Sequence, residues 1–140
     1  MDVAACAVGR IGQDGPWVGF APTIEDGYAL VVGGAGLPGR RMAADADDLL
    51  ALACLYFEEA LDPAPDELAA TLGDIGSVVR HVAEHETDLD RRRVLGEAVD
   101  AVDDGLAADV TIARLRRALG DGVDAAARIR DRVELLMEMR

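Results

Sequence analysis

The sequence predicts a mainly α domain, a bundle of about five helices with a small N-terminal β-hairpin. Three observations carry this. Apolar residues recur at helical spacing in successive segments after residue 42. The aromatic and β-branched runs that suit strands both fall before it. Aromatics make up only 4% of a chain that is 51% apolar, so the core is built from Leu, Val, Ile and Ala, which suit closely packed helices. At 140 residues the chain has the size of a single domain, 1–140, comprising a glycine-rich hairpin segment (1–42) and the helical bundle (43–140).

Residues 3–8 fit either a strand or a short helix, because their alternation is poor. Gly12-Gln13-Asp14-Gly15-Pro16 breaks the chain. Residues 17–21 and 28–32 read as the two strands of the hairpin, and the Asp26-Gly27 pair between them is a turn signal. Asp45 or Asp47 caps a first helix that runs to about Leu61. Residues 49–57 leave that helix no polar side, so it belongs inside the domain. Asp62-Pro63-Ala64-Pro65 ends it, since proline disfavours helix in the residue before it.

A second helix starts near Asp66 and carries Leu68, Leu72, Ile75, Val79 and Val82 on one stripe. Gly73 and Gly76 weaken it by about 1 kcal/mol each relative to Ala, which predicts close packing against a neighbour. Thr87 or Asp88 caps the third helix, which carries Leu95, Ala98, Val99, Val102 and Leu106. Asp109 opens the fourth, with Ile112, Leu115 and Leu119, and Gly120-Asp121-Gly122 stops it. The fifth presents Ala126, Ile129, Val133 and Leu136.

The net charge is −13, and residues 1–42 contribute only about −1 of it (four acids against three arginines). Every cation is arginine; there is no lysine. Such acidity opposes nucleic acid, whose phosphates are repelled, and suits a basic protein surface as partner. It equally suits plain solubility. Cys6 and Cys54 do not make a disulfide framework. The N-terminus lacks the basic region of a signal peptide and no apolar run is long enough to span a bilayer, so a cytoplasmic protein is expected.

The two histidines of the chain, in His81-Val82-Ala83-Glu84-His85, stand four residues apart and so stack on one side of a helix. His-x-x-Glu-His resembles the signature of the inverted zinc peptidases over His81, Glu84 and His85 and no further. The resemblance implies Zn²⁺, or a similar divalent metal, on His81 and His85, with Glu84 activating water as general base. Such a site needs a further carboxylate, either Asp88, three residues beyond His85, or an acid from another helix, and spacing singles out neither. The apolar stripe is centred near Val79 and Val82, which puts His85 at the edge of the buried face and His81 further toward solvent. Asp74, His81, His85 and Asp88 then form a polar flank that serves either a metal or simply water. Ser77, four residues before His81, lies within hydrogen-bonding reach of it, but a Ser–His pair with no positioned oxyanion donors is weak evidence for a nucleophile.

Gly34-Ala35-Gly36-Leu37-Pro38-Gly39 fits the phosphate-cradling G-x-G-x-x-G pattern after a strand, but no alternating β and α units follow. Arg40 and Arg41 beside it are candidates for an anion site. The remaining arginine groups, including Arg91-Arg92-Arg93 and Arg128/Arg130/Arg132, are expected to pair with acids on neighbouring helices.

Two functions follow. One is an acidic interaction protein, immunity-, antitoxin-, inhibitor- or adaptor-like, that engages a basic partner. The other is a small enzyme, metal-dependent where the histidines hold a divalent ion in the manner just described, working near a cleft opened by the glycine loop. Residues 133–137 present apolar side chains on more than one face, which suits a homodimer.

Overall fold

A computed structural model describes residues 5–11, 15–23, 27–34, 39–64, 67–120 and 122–138. Four strands come first: β1 (Cys6–Arg10), β2 (Trp17–Pro22), β3 (Tyr28–Gly33) and β4 (Arg40–Ala43). Five helices follow: α1 (Ala46–Glu58), α2 (Leu72–His85), α3 (Leu89–Asp103), α4 (Ala108–Leu119) and α5 (Ala125–Glu138). The strands form one antiparallel sheet in the order β1-β2-β3-β4.

The expected hairpin is therefore the centre of a larger sheet. β2 and β3 pair from Trp17 opposite Gly33 to Pro22 opposite Tyr28. Their loop is closed by the Thr23 amide on the Gly27 carbonyl and the Gly27 amide on the Thr23 hydroxyl. The outer strands have little strand propensity of their own. Cys6–Arg10 contains Ala and Gly, and Arg40–Ala43 has no β-branched residue. Both are extended because β2 and β3 offer them unpaired backbone, and tertiary context outweighs composition in strands.

β1 is held on its outer side as well. The Ala7 amide donates to the Leu68 carbonyl, and Arg10 and Asp62 exchange both backbone hydrogen bonds. This approach requires Gly9, where a Cβ atom would lie 2.5 Å from that of Leu61. Residues 61–62 and 68–70, part of which the sequence suggests as helix, thus lie against β1. The chain leaves α1 at Glu58 and enters α2 at Leu72, later than the expected start near Asp66, which itself lies outside the described residues.

The helix starts follow local chemistry. Asp45 caps α1 and Thr71 caps α2, each in a reciprocal capping box with the acid three residues on. The Asp88 carboxylate accepts from the Asp90 and Arg91 amides to start α3. Gly120, at φ 117°, ends α4 in a conformation that side chains rarely adopt.

All of Leu49, Leu50, Ala51, Leu52, Ala53, Cys54 and Leu55 are buried, so α1 is the inner helix that its composition predicts. Val18, Phe20, Leu30 and Val32 from the sheet meet it in the same core as Ile75 and Val79 of α2, Leu95 of α3, Leu115 of α4, and Ile129 and Leu136 of α5. Gly76 gives close packing against Val102, 3.4 Å from where its Cβ atom would stand, while Gly73 faces only Thr71 of its own helix start.

Candidate functional site

The histidine flank sits where α2 passes β3. The rings of His81 and His85 stack with centroids 4.2 Å apart. Their burial is the reverse of the sequence expectation: His81 is half-buried and His85 exposed. Tyr28 of β3 meets the His81 ring edge-on at 5.1 Å, so the sheet covers the side of α2 that the apolar stripe alone leaves open. The His85 Nδ1–H donates to the His81 carbonyl oxygen (2.9 Å), which leaves Nε2 as the lone-pair nitrogen of that ring. A shallow cavity of about 110 Å³ lies beside the pair, lined by Ala44, Ala46, Leu49, His81, His85 and Glu86.

The other flank residues are placed differently. Glu84 is exposed on the solvent side of α2. Asp88 serves as the cap of α3. Asp74 closes the capping box of α2 and accepts from the Cys6 thiol at 3.6 Å. Ser77 donates to the Gly73 carbonyl one turn back in its own helix, so its hydroxyl points away from His81's position on the next turn. Among the described residues, no group of three or more His, Cys, Asp or Glu side chains is arranged to hold a metal ion.

Arg40 and Arg41 alternate across β4 and do not converge. Arg40 reaches the end of α5, donating to the Leu136 carbonyl (2.9 Å) and to that of Met137, where a cation complements the negative end of the helix. Arg41 is exposed opposite Val31. Residues 35–38 of the glycine loop lie outside the described residues, and with them the core of the nucleotide-like pattern and the cleft expected there. Of the apolar residues considered for self-association, Val133 and Leu136 are core residues, whereas Leu135 and Met137 are exposed.

The thiols are quiet. Burial, then the charge of Glu58, pushes Cys54 up to about 12. Burial, then the Asp74 carboxylate, raises Cys6 from its ordinary value.

Six arginines pair with acids, among them one of Arg91-Arg92-Arg93 and two of Arg128/Arg130/Arg132, while Arg92 and Arg93 are exposed and make no ion pair within the described residues. Asp48 is 1% exposed and accepts at one oxygen from Arg128 Nε (2.9 Å) and Arg132 Nε (3.1 Å), which fastens α5 to the start of α1. Arg128 also grips both oxygens of Asp45. Burial works to raise the Asp45 carboxyl, but the Asp48 amide and the charges of Arg128 and Arg132 outweigh it and hold the group below its ordinary value. Elsewhere Arg91 meets Asp47 and Glu86, Arg116 meets Glu58, Arg117 meets Glu97, and Arg80 meets Asp103. Arg114 and Arg130 donate to backbone carbonyls, and Arg10 lies over the Trp17 ring.

Acids dominate the charge left unpaired at the surface, where Arg41, Arg92 and Arg93 are the exposed arginines with no described hydrogen bond or ion pair. Glu59, Glu67, Glu84, Asp100, Asp104 and Asp109 are exposed and make no ion pair within the described residues. One signal of this was readable but unread: no Lys, Arg or His occurs from residue 42 to 79, a stretch with nine acids. Every cation that neutralises that stretch is brought to it by a later helix.

In comparisons with known proteins, no family model, no curated protein and no solved structure matches this chain. No described helix is long and apolar enough to cross a membrane.

Proposed function

We propose that the protein is a small acidic interaction module, immunity-, antitoxin-, inhibitor- or adaptor-like, that engages a basic surface of a partner protein in the cytoplasm. One observation carries this reading: six arginines are paired with acids that fasten helices to one another, and the surplus acids face water. The end of α3 sharpens it. Asp100 and Asp104 stand at the negative end of that helix with no base in its last turn, each costing about 0.3–1 kcal/mol, beside Asp103, which Arg80 neutralises. Leu106 and Val110 are exposed beside them, which supplies apolar contact next to charge.

The test uses the wild type and an Asp100→Asn/Asp104→Asn/Asp109→Asn variant as baits in lysate of the native host, followed by titration of the purified captured protein. The reading expects a basic protein that the wild type retains, that salt releases, and that binds the variant more weakly. Equal binding of that protein by both baits, or capture that salt does not weaken, would overturn it.

The stacked His81–His85 pair favours a second reading, a metal-dependent enzyme with Zn²⁺ on the two imidazoles and Glu84 as base. A metal that binds only the folded chain raises its melting temperature. An unchanged melting temperature with Zn²⁺ in both wild type and His81→Ala/His85→Ala removes that reading. Were the protein also a homodimer, Leu135 and Met137 would be the side chains left for it to cover.

A further inference from the structure

We propose that a groove beside the end of α1 takes a basic segment of the partner, with an apolar side chain of that segment in the groove and its arginine or lysine on Glu59. The inference rests on the interaction reading above and names the surface that it uses. The groove measures about 690 Å³, within the size range of binding clefts. It runs between β1, the end of α1, the connector residues 59–64 and 69–70, and the first residue of α4.

Its lining explains the occupant. Val8, Tyr56, Phe57, Leu61 and Ala69 give an apolar floor, and these side chains are only partly buried. Tyr56 and Phe57 are two of five aromatic residues in the chain, packed edge-on with centroids 5.1 Å apart. A sequence that uses aromatics so sparingly leaves two of them at one open surface, and aromatic residues are enriched where proteins meet. Among the described residues, Glu59 is the only charged one in the lining. No described cation lines the groove, and the connector adds Asp62 and Glu67.

Glu59 is also poorly suited to its place on structural grounds. It is the one described non-glycine residue with positive φ, at 53°. It stands where a helix favours glycine, and its negative charge lies at the negative end of α1. The chain has 15 glycines and does not use one here. A residue that is unfavourable in both conformation and charge, and that has no ion-pair partner among the described residues, is explained by a contact outside the chain. An arginine or lysine supplies the missing charge, and an adjoining apolar side chain fills the groove.

The experiment titrates the intact protein with three short synthetic peptides, one of Leu and Arg, one of Leu and Glu, and one of Ser and Arg, and follows backbone amide shifts by NMR. The Leu/Arg peptide is expected to shift the amides of residues 55–64 and 69–70. The Ser/Arg peptide is expected to bind about tenfold more weakly and the Leu/Glu peptide not at all. Glu59→Gly and Ala108→Trp, the latter filling the groove from its exposed rim, are each expected to weaken the Leu/Arg peptide about tenfold. Asp131→Asn, on α5, is expected to leave it unchanged. Glu59→Gly relieves strain, so it folds even if the tryptophan variant does not. Shifts that map elsewhere, equal binding of the Ser/Arg peptide, undiminished binding by Glu59→Gly, or concentration-dependent shifts without peptide (a second copy in the groove) would each overturn the proposal. If the partner captured from lysate binds these groove variants normally, the interaction reading survives and only the groove is wrong.

Discussion

Two clefts of similar size, about 690 Å³ each, flank the end of α1, and consecutive residues mark them. Glu58 faces the cleft between α1, α4 and α5, where Arg116 Nε lies 2.7 Å from its carboxylate. Glu59 faces the aromatic groove, where no described cation reaches it. The first cleft is closed in charge by the chain itself, whereas the second is left anionic and half apolar. Compensation inside a fold is thus a local choice, and the net charge of −13 does not reveal which acids are free.

The comparison can be broken most forcefully at the buried extreme of compensation. Asp48→Ala leaves Arg128 and Arg132 partly buried without their shared carboxylate, and is expected to lower unfolding free energy by about 3–5 kcal/mol in urea denaturation. A loss below about 1 kcal/mol would mean that the network fastens nothing. Glu59→Gly works in the opposite direction. Removing a left-handed, uncompensated acid is expected to stabilise the fold by about 1 kcal/mol. Destabilisation in the same denaturation experiment would show that Glu59 has a structural partner. Glu58→Gln is expected to cost no more than about 1 kcal/mol, and less in high salt, since its arginine is largely exposed.

The smallest effect is in pH. Asp45 is held below its ordinary value of 3.8 in the folded chain. Its contribution is therefore complete above that value and is lost as pH falls through the lower folded value. Asp45→Asn keeps a good helix cap, so the variant should lose less stability than the wild type between about pH 4 and pH 2. Parallel acid-denaturation curves would contradict this.

The histidines show how far sequence reaches. Their stacking was legible, because four residues on a helix return to the same side. Their relative burial was not, because the Tyr28 ring that covers His81 comes from a strand over fifty residues away. Arg40 likewise reads as half of a basic pair, until β4 carries it to carbonyls near the far end of the chain. Glu59 carried a local hint, an acid where an apolar helix must stop without glycine, but the groove beside it exists only once β1 and the connector meet.

By itself the sequence determined that five helices follow residue 42, that acids or threonine near 45–47 and 87–88 cap two of them, the central hairpin and the inner position of α1. Each depends on periodicity or on hydrogen bonds within a few residues. Tertiary structure alone decided that β1 and β4 are strands, which acids arginine neutralises and where a groove stays open. Backbone pairing and ion pairing are contacts across space between groups far apart in the chain, and no local pattern encodes who the neighbour will be.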